Sequence, residues 1–66
     1  MKQTHVYLIS EQGEHTTSKR IATYDYEMKL IKPGQEFYVG QKPYRVESFT
    51  PYQESLAAVV CVTEVL

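Results

Sequence analysis

Cysteine is nearly missing from this chain: Cys61 is the only one in 66 residues, so no internal disulfide can form. Metal ligands are equally sparse. The two histidines, His5 and His15, lie far along the chain from Cys61, and no set of four ligands has the tight spacing of a structural zinc site. The three glycines, Gly13, Gly34 and Gly40, stand apart from one another, which excludes a phosphate-binding loop or a dinucleotide fingerprint. Long apolar runs are also lacking. The longest, Leu56 to Val62, is far too short to span a bilayer. The run Val6 to Ile9 that follows the first five residues is shorter than the core of a signal peptide. With no export signal and one unpaired cysteine, the expected compartment is the cytoplasm. Charge of one sign is not in excess. Seven basic residues against eight acidic ones give a net charge of -1, which argues against a general nucleic-acid binder and against a polybasic membrane-surface protein.

These absences bear on stability. A chain of 66 residues makes a single domain, residues 1–66, and buries only about 60% of the surface its unfolded form exposes. Scaffolds this small usually rely on a disulfide, a metal or a partner. The first two are excluded by composition, so association is expected, with a protein partner or with further copies of the chain. No cofactor and no small-molecule substrate are expected.

What is present is a series of strand-sized segments separated by turn residues. Turns are expected at Glu11-Gln12-Gly13-Glu14, at Lys32-Pro33-Gly34-Gln35, at Gly40-Gln41-Lys42-Pro43, and in a looser stretch from Thr50-Pro51 to about Ser55. The first segment, Thr4 to Ser10, is rich in β-formers, with Val6 and Leu8 on one face and His5, Tyr7 and Ile9 on the other. Across Lys19 to Ile31 the residues Ala22, Tyr24, Tyr26, Met28 and Leu30 alternate with Thr23, Asp25, Glu27 and Lys29, the period of a half-buried strand. The same stretch also fits a helix at about 18–31, with Ile21, Tyr24, Met28 and Ile31 on one face and Thr17 or Ser18 as the cap. The strand template matches more positions. Glu36 to Val39 and Tyr44 to Phe49 should form a hairpin, with Phe37 and Val39 inward on the first, and Tyr44 and Val46 opposed to Arg45, Glu47 and Phe49 on the second. Ala57 to Leu66 is apolar on both faces through Val62, as a strand covered on both sides or paired with another chain would be.

The expected fold is all-β: a small, mostly antiparallel, five-stranded barrel or curled sheet, with α+β as the alternative if 18–31 is helical. The stretch from Leu30 to Val46 joins a Pro-Gly turn, a short Phe-Tyr-Val strand, a Gly-containing turn and a Tyr-Arg-Val strand. It resembles SH3-like small β-barrels over about a quarter of the chain. Barrels of that kind occur in bacterial and phage accessory proteins, so the resemblance implies an architecture and an accessory setting, but no particular activity.

Catalysis needs a nucleophile, a base and a group that orients the base. Cys61 falls in the most apolar segment and is expected to be an inert core residue. A lone surface or half-buried role is expected for each histidine, and neither lies next to a plausible nucleophile. The carboxylates are scattered, and a domain of this size is expected to have little room for a concavity of about 300 Å³ or more. The chain is therefore not expected to be an enzyme. Six tyrosines are the one compositional excess. Most should pack the core, but Tyr38 has the opposite parity to Phe37 and Val39, and Tyr52 falls in a loop, so these two are expected to point outward as binding anchors. The leading expectation is a non-catalytic protein-binding module. Its contacts would come from Tyr38, Tyr52, Tyr44 and Arg45, and from Val60 and Val62 on a last strand that extends a partner's sheet. The alternative is a nucleic-acid-binding barrel that uses Tyr38, Tyr44, Arg45 and Lys42 for stacking and phosphate contacts.

Overall fold

The computed structural model describes residues 2–54 and 56–65. Five strands, β1 (Thr4–Gln12), β2 (His15–Tyr24), β3 (Glu36–Val39), β4 (Lys42–Thr50) and β5 (Ala58–Glu64), form one sheet in the order β2-β1-β5-β4-β3. No helix occurs among the described residues. The sheet does not close on itself, so it is curled rather than a barrel, and β2 and β3 are its two edges. Three of its junctions are antiparallel, while β1 and β5 run parallel from Thr4↔Ala58 to Leu8↔Val62.

Two tight turns set the hairpins. Gly13 follows the Gln12↔His15 pair and Gly40 follows Val39, paired with Lys42; their φ values of +64° and +63° suit the first position of a two-residue turn, where a side chain would be strained. The β1–β2 hairpin is longer than the sheet beneath it. Pairing with β5 stops at Leu8, whereas pairing with β2 continues to Gln12. The part beyond that point, Ile9 to Ser18, therefore projects as a two-stranded ribbon with residues 11–18 all exposed, and the molecule measures 37 × 25 × 18 Å.

Alternation places Val6, Val46, Val60 and Val62 at 0% exposure on the inner face, together with Phe37 and Tyr44. Two bulges modify the alternation. In β2, Ile21 is the extra residue between Arg20, opposite Tyr7, and Ala22, opposite Val6, and it too packs on the core. In β4, Glu47 is the extra residue between Val46, opposite Val62, and Ser48, opposite Cys61. This second bulge reverses parity and turns Phe49 inward against the core, correcting its expected place beside Arg45 and Glu47.

The segment expected to be one long strand or a helix over 18–31 is neither. The strand starts earlier, at His15, and ends at Tyr24, after which the chain crosses the open inner face to β3. Ile21, Tyr24, Met28 and Ile31, the residues of the apparent helical face, are those that pack on the core. Tyr26 and Leu30, which strict alternation would bury, are 56% and 88% exposed. The crossover is held by Thr4, fully buried at the start of β1: its Oγ1 donates to the Tyr26 carbonyl at 2.8 Å and accepts from the Met28 amide at 2.9 Å.

β5 is the central strand, with both main-chain sides paired to β1 and β4. It has no free edge with which to extend a partner's sheet, and its two-sided apolarity has an internal cause. Ala58, Val60 and Val62 fill the core while Val59 and Cys61 lie half-buried on the outer face. Cys61 is thus a residue of the outer face, not of the core.

Candidate protein-binding surface

The unclosed seam of the sheet holds an open groove of about 520 Å³. One wall is the end of β2 and the crossover, with Tyr24, Tyr26, Met28 and Ile31; the other is the edge strand β3, with Phe37 and Tyr38. The Tyr24 and Tyr26 rings meet at 5.7 Å between centroids with a 54° tilt, within the range of attractive aromatic pairs. Tyr38 is 57% exposed because Phe37 on the same strand takes the inward parity. Glu36 lies two residues before Tyr38, on the same face. As a hydrogen-bond acceptor first, and as a negative charge second, its carboxylate raises the Tyr38 phenol above the ordinary tyrosine pKa, with desolvation a lesser cause. Glu27, also in the groove, is 3.2 Å from Lys2 Nζ.

A second depression, about 650 Å³, opens below the loop that follows β4 and is lined among others by Gln3, His5, Tyr52, Glu54, Leu56 and Val59. Both open depressions exceed the room expected of so short a chain. They arise because the sheet stays open and its connections arch over it. His5 Nδ1 lies 3.1 Å from Thr23 Oγ1, and Lys2 Nζ lies 5.4 Å from the centre of the Tyr52 ring. Gln53 and Leu56 exchange main-chain hydrogen bonds of 3.2 and 2.6 Å, closing another tight turn. Its first position is Glu54, with φ +39°, where the β1–β2 and β3–β4 turns have Gly13 and Gly40. Glu54→Gly is expected to stabilise the fold by up to ~1 kcal/mol through relief of this strain, net of glycine's entropy cost. The gain appears as a higher midpoint in thermal unfolding; a lower midpoint would show that the Glu54 side chain outweighs the strain.

The residues singled out by sequence are only partly brought together. Tyr38 and Arg45 are exposed on neighbouring strands of one face, where Glu36 pairs with Arg45 and Tyr38 with Pro43. Tyr52 is half-buried beyond the far end of β4 and lines the other depression. Tyr44 is 7% exposed and belongs to the core. Lys42 lies 5.4 Å from the Tyr44 ring centre and 3.6 Å from a Glu64 carboxylate oxygen, so its charge already has a neighbour of opposite sign. The stacking surface of Tyr38, Tyr44, Arg45 and Lys42 is not assembled. Val60 and Val62, at 0% exposure, offer nothing to a partner; the pairing of β5 on both sides encloses them. The exposed residues that alternation missed are Tyr26 and Leu30. The signal was there in Asp25 and Glu27 around Tyr26, residue types that strands disfavour.

Among the described residues, no group of three or more His, Cys, Asp or Glu is placed to hold a metal ion, and no helix is long and apolar enough to cross a membrane. The fold and the groove define a small, open, five-stranded β domain with an aromatic seam. No family model, curated protein or solved structure matches the chain.

Proposed function

We propose that this chain is a non-catalytic protein-binding module that docks its partner in the seam between the crossover and β3. One observation carries the reading. Of the five large apolar side chains that are exposed among the described residues, Tyr26 and Tyr38 line this one groove and Leu30 stands between two of its lining residues, Lys29 and Ile31. Clustered exposed apolar side chains beside a groove are the usual mark of a docking surface. Tyrosine adds a large contact area at a small rotamer cost. β3 also offers unpaired main-chain groups on its outer side, where an extended segment can add to the sheet. The free thiol of Cys61 supports a cytoplasmic setting. The small-barrel resemblance of residues 30–46 supports an accessory role of the phage or mobile-element type.

The test is affinity capture from an extract of the native cell, read by mass spectrometry, with the wild type and a Tyr26→Ala/Tyr38→Ala variant. Both side chains are more than half exposed, so the variant is expected to keep its fold. Proteins docked in the groove should fall at least ~10-fold, the equivalent of ~1.4 kcal/mol lost with two aromatic anchors. An unchanged set of captured proteins would remove the groove from the reading.

A further inference from the structure

The two free edges of the sheet carry opposite charge. β2 contains Lys19 and Arg20 and no carboxylate; β3 contains Glu36 and no cation. Unpaired edges are normally blunted by charge, because like charges brought together oppose pairing. Here that logic discriminates. Pairing β2 with β2, or β3 with β3, sets like charges along the junction, whereas β2 of one copy against β3 of another sets Lys19 and Arg20 against Glu36.

Geometry agrees with charge. Lys19 and Arg20 lie at the base of the projecting ribbon, opposite Leu8 and Tyr7, where β2 has no neighbour on its other side, and β3 borders an open groove. The two basic residues also point to opposite faces. Arg20 shares the outer face with Tyr7, its cross-strand neighbour, and Lys19 shares the inner face with Leu8. On the receiving side, Glu36 lies on the outer face and Glu27 on the crossover that covers the inner one. A sheet continued with the same face outward brings Arg20 to the Glu36 side and Lys19 to the Glu27 side. Other charges nearby are Lys29 in the groove, Lys2 on Glu27, and Arg45 across from Glu36, which forms no ion pair with it. On the ribbon, Glu11 lies in β1 and Glu14 in the turn, off the β2 edge.

We infer that the chain assembles head to tail with copies of itself, the β2 edge of one copy pairing along β3 in the seam of the next. This rests on reading the groove as a protein-docking site and names a second copy of the chain as its occupant. The junction joins unlike surfaces, so each added copy leaves one free β2 and one free β3, and growth does not stop at two.

Light scattering on size-separated protein over a wide concentration range tests it, with three samples: wild type, Glu36→Lys, and Lys19→Glu/Arg20→Glu. The wild type should grow beyond two copies as concentration rises and shrink as salt screens the junction. Each variant alone places like charges at its junction and should stay a single chain. Mixing the two variants in equal amounts makes every junction between unlike variants complementary, and growth should return, an outcome that misfolded variants cannot give. A single chain at every concentration, a species that stops at two copies, or growth indifferent to the charge reversals would overturn the inference. If the wild type stays single yet still captures a protein in a Tyr26- and Tyr38-dependent way, the docking groove stands and only its occupant changes.

Discussion

Replacing Val60 with alanine is expected to lower the thermal midpoint by roughly 10–20 °C. Val60 is fully enclosed, beside Val6 on β1 and Phe49 on β4 in the register of the sheet. Removing its two methyl groups forfeits their burial and leaves a void that a tightly paired central strand cannot collapse to fill, costing roughly 2–3 kcal/mol. A chain this short has on the order of 3–10 kcal/mol in all. Each kcal/mol moves the midpoint of such a domain by about 4–8 °C. Thermal unfolding followed by circular dichroism gives the answer, with Val59→Ala as the companion. Val59 is on the same strand but half-buried on the outer face, so its truncation should cost less. A Val60 variant as stable as the wild type would mean that the valine is a contact surface and not a core residue.

The same residue shows where sequence and structure part. Hydrophobic alternation locates β-strands because it reports which side chains need shelter. It did so here for the start of β1, for β3 within its bounds Glu36–Val39, and for the β3–β4 hairpin. Alternation carries no information about which strand lies beside which. Ala58 to Val62 is apolar on both faces whether its edges pair at home or with a stranger, and only the order β2-β1-β5-β4-β3 shows that both are taken. The parallel β1–β5 junction is hidden for the same reason, since neither strand's own residues record the direction of its neighbour.

Bulges are a second blind spot. One extra residue at Glu47 moves Phe49 to the core face without changing the composition of β4. The crossover is a third. Its residues Tyr24, Met28 and Ile31 shelter at irregular spacing, which resembles a helix in one frame and a strand in another, because the backbone there follows the core surface and not a regular ladder. Of the groove, Tyr38 was legible from its parity against Phe37. Tyr26 and Leu30 were not, because they lie past the point where the β2 ladder ends.

Just past the end of that ladder one buried hydroxyl bonds the crossover twice, and Thr4→Val tests its weight. Valine keeps the β-branched shape and the volume of threonine, so the change removes little except the oxygen. Thr4 Oγ1 is the acceptor for the Met28 amide and the donor to the Tyr26 carbonyl, in a position with no solvent exposure for the residue as a whole. In the wild type, none of the buried side-chain polar atoms among the described residues is left without a partner. The variant strands two main-chain groups instead, at a cost of about 1–3 kcal/mol if water does not reach them. Thermal unfolding should show that loss, and the Met28 amide should exchange its proton with solvent faster than in the wild type, beyond what the fall in global stability accounts for. Thr4→Ser keeps the hydroxyl and should keep the slow exchange. Because Tyr26 and Met28 form one wall of the groove, a crossover released at Thr4 should also weaken capture by the seam, while Tyr38 on the opposite wall is untouched. A Thr4→Val variant with the exchange rate of the wild type would show that the crossover is held by the packing of Tyr24, Met28 and Ile31 alone.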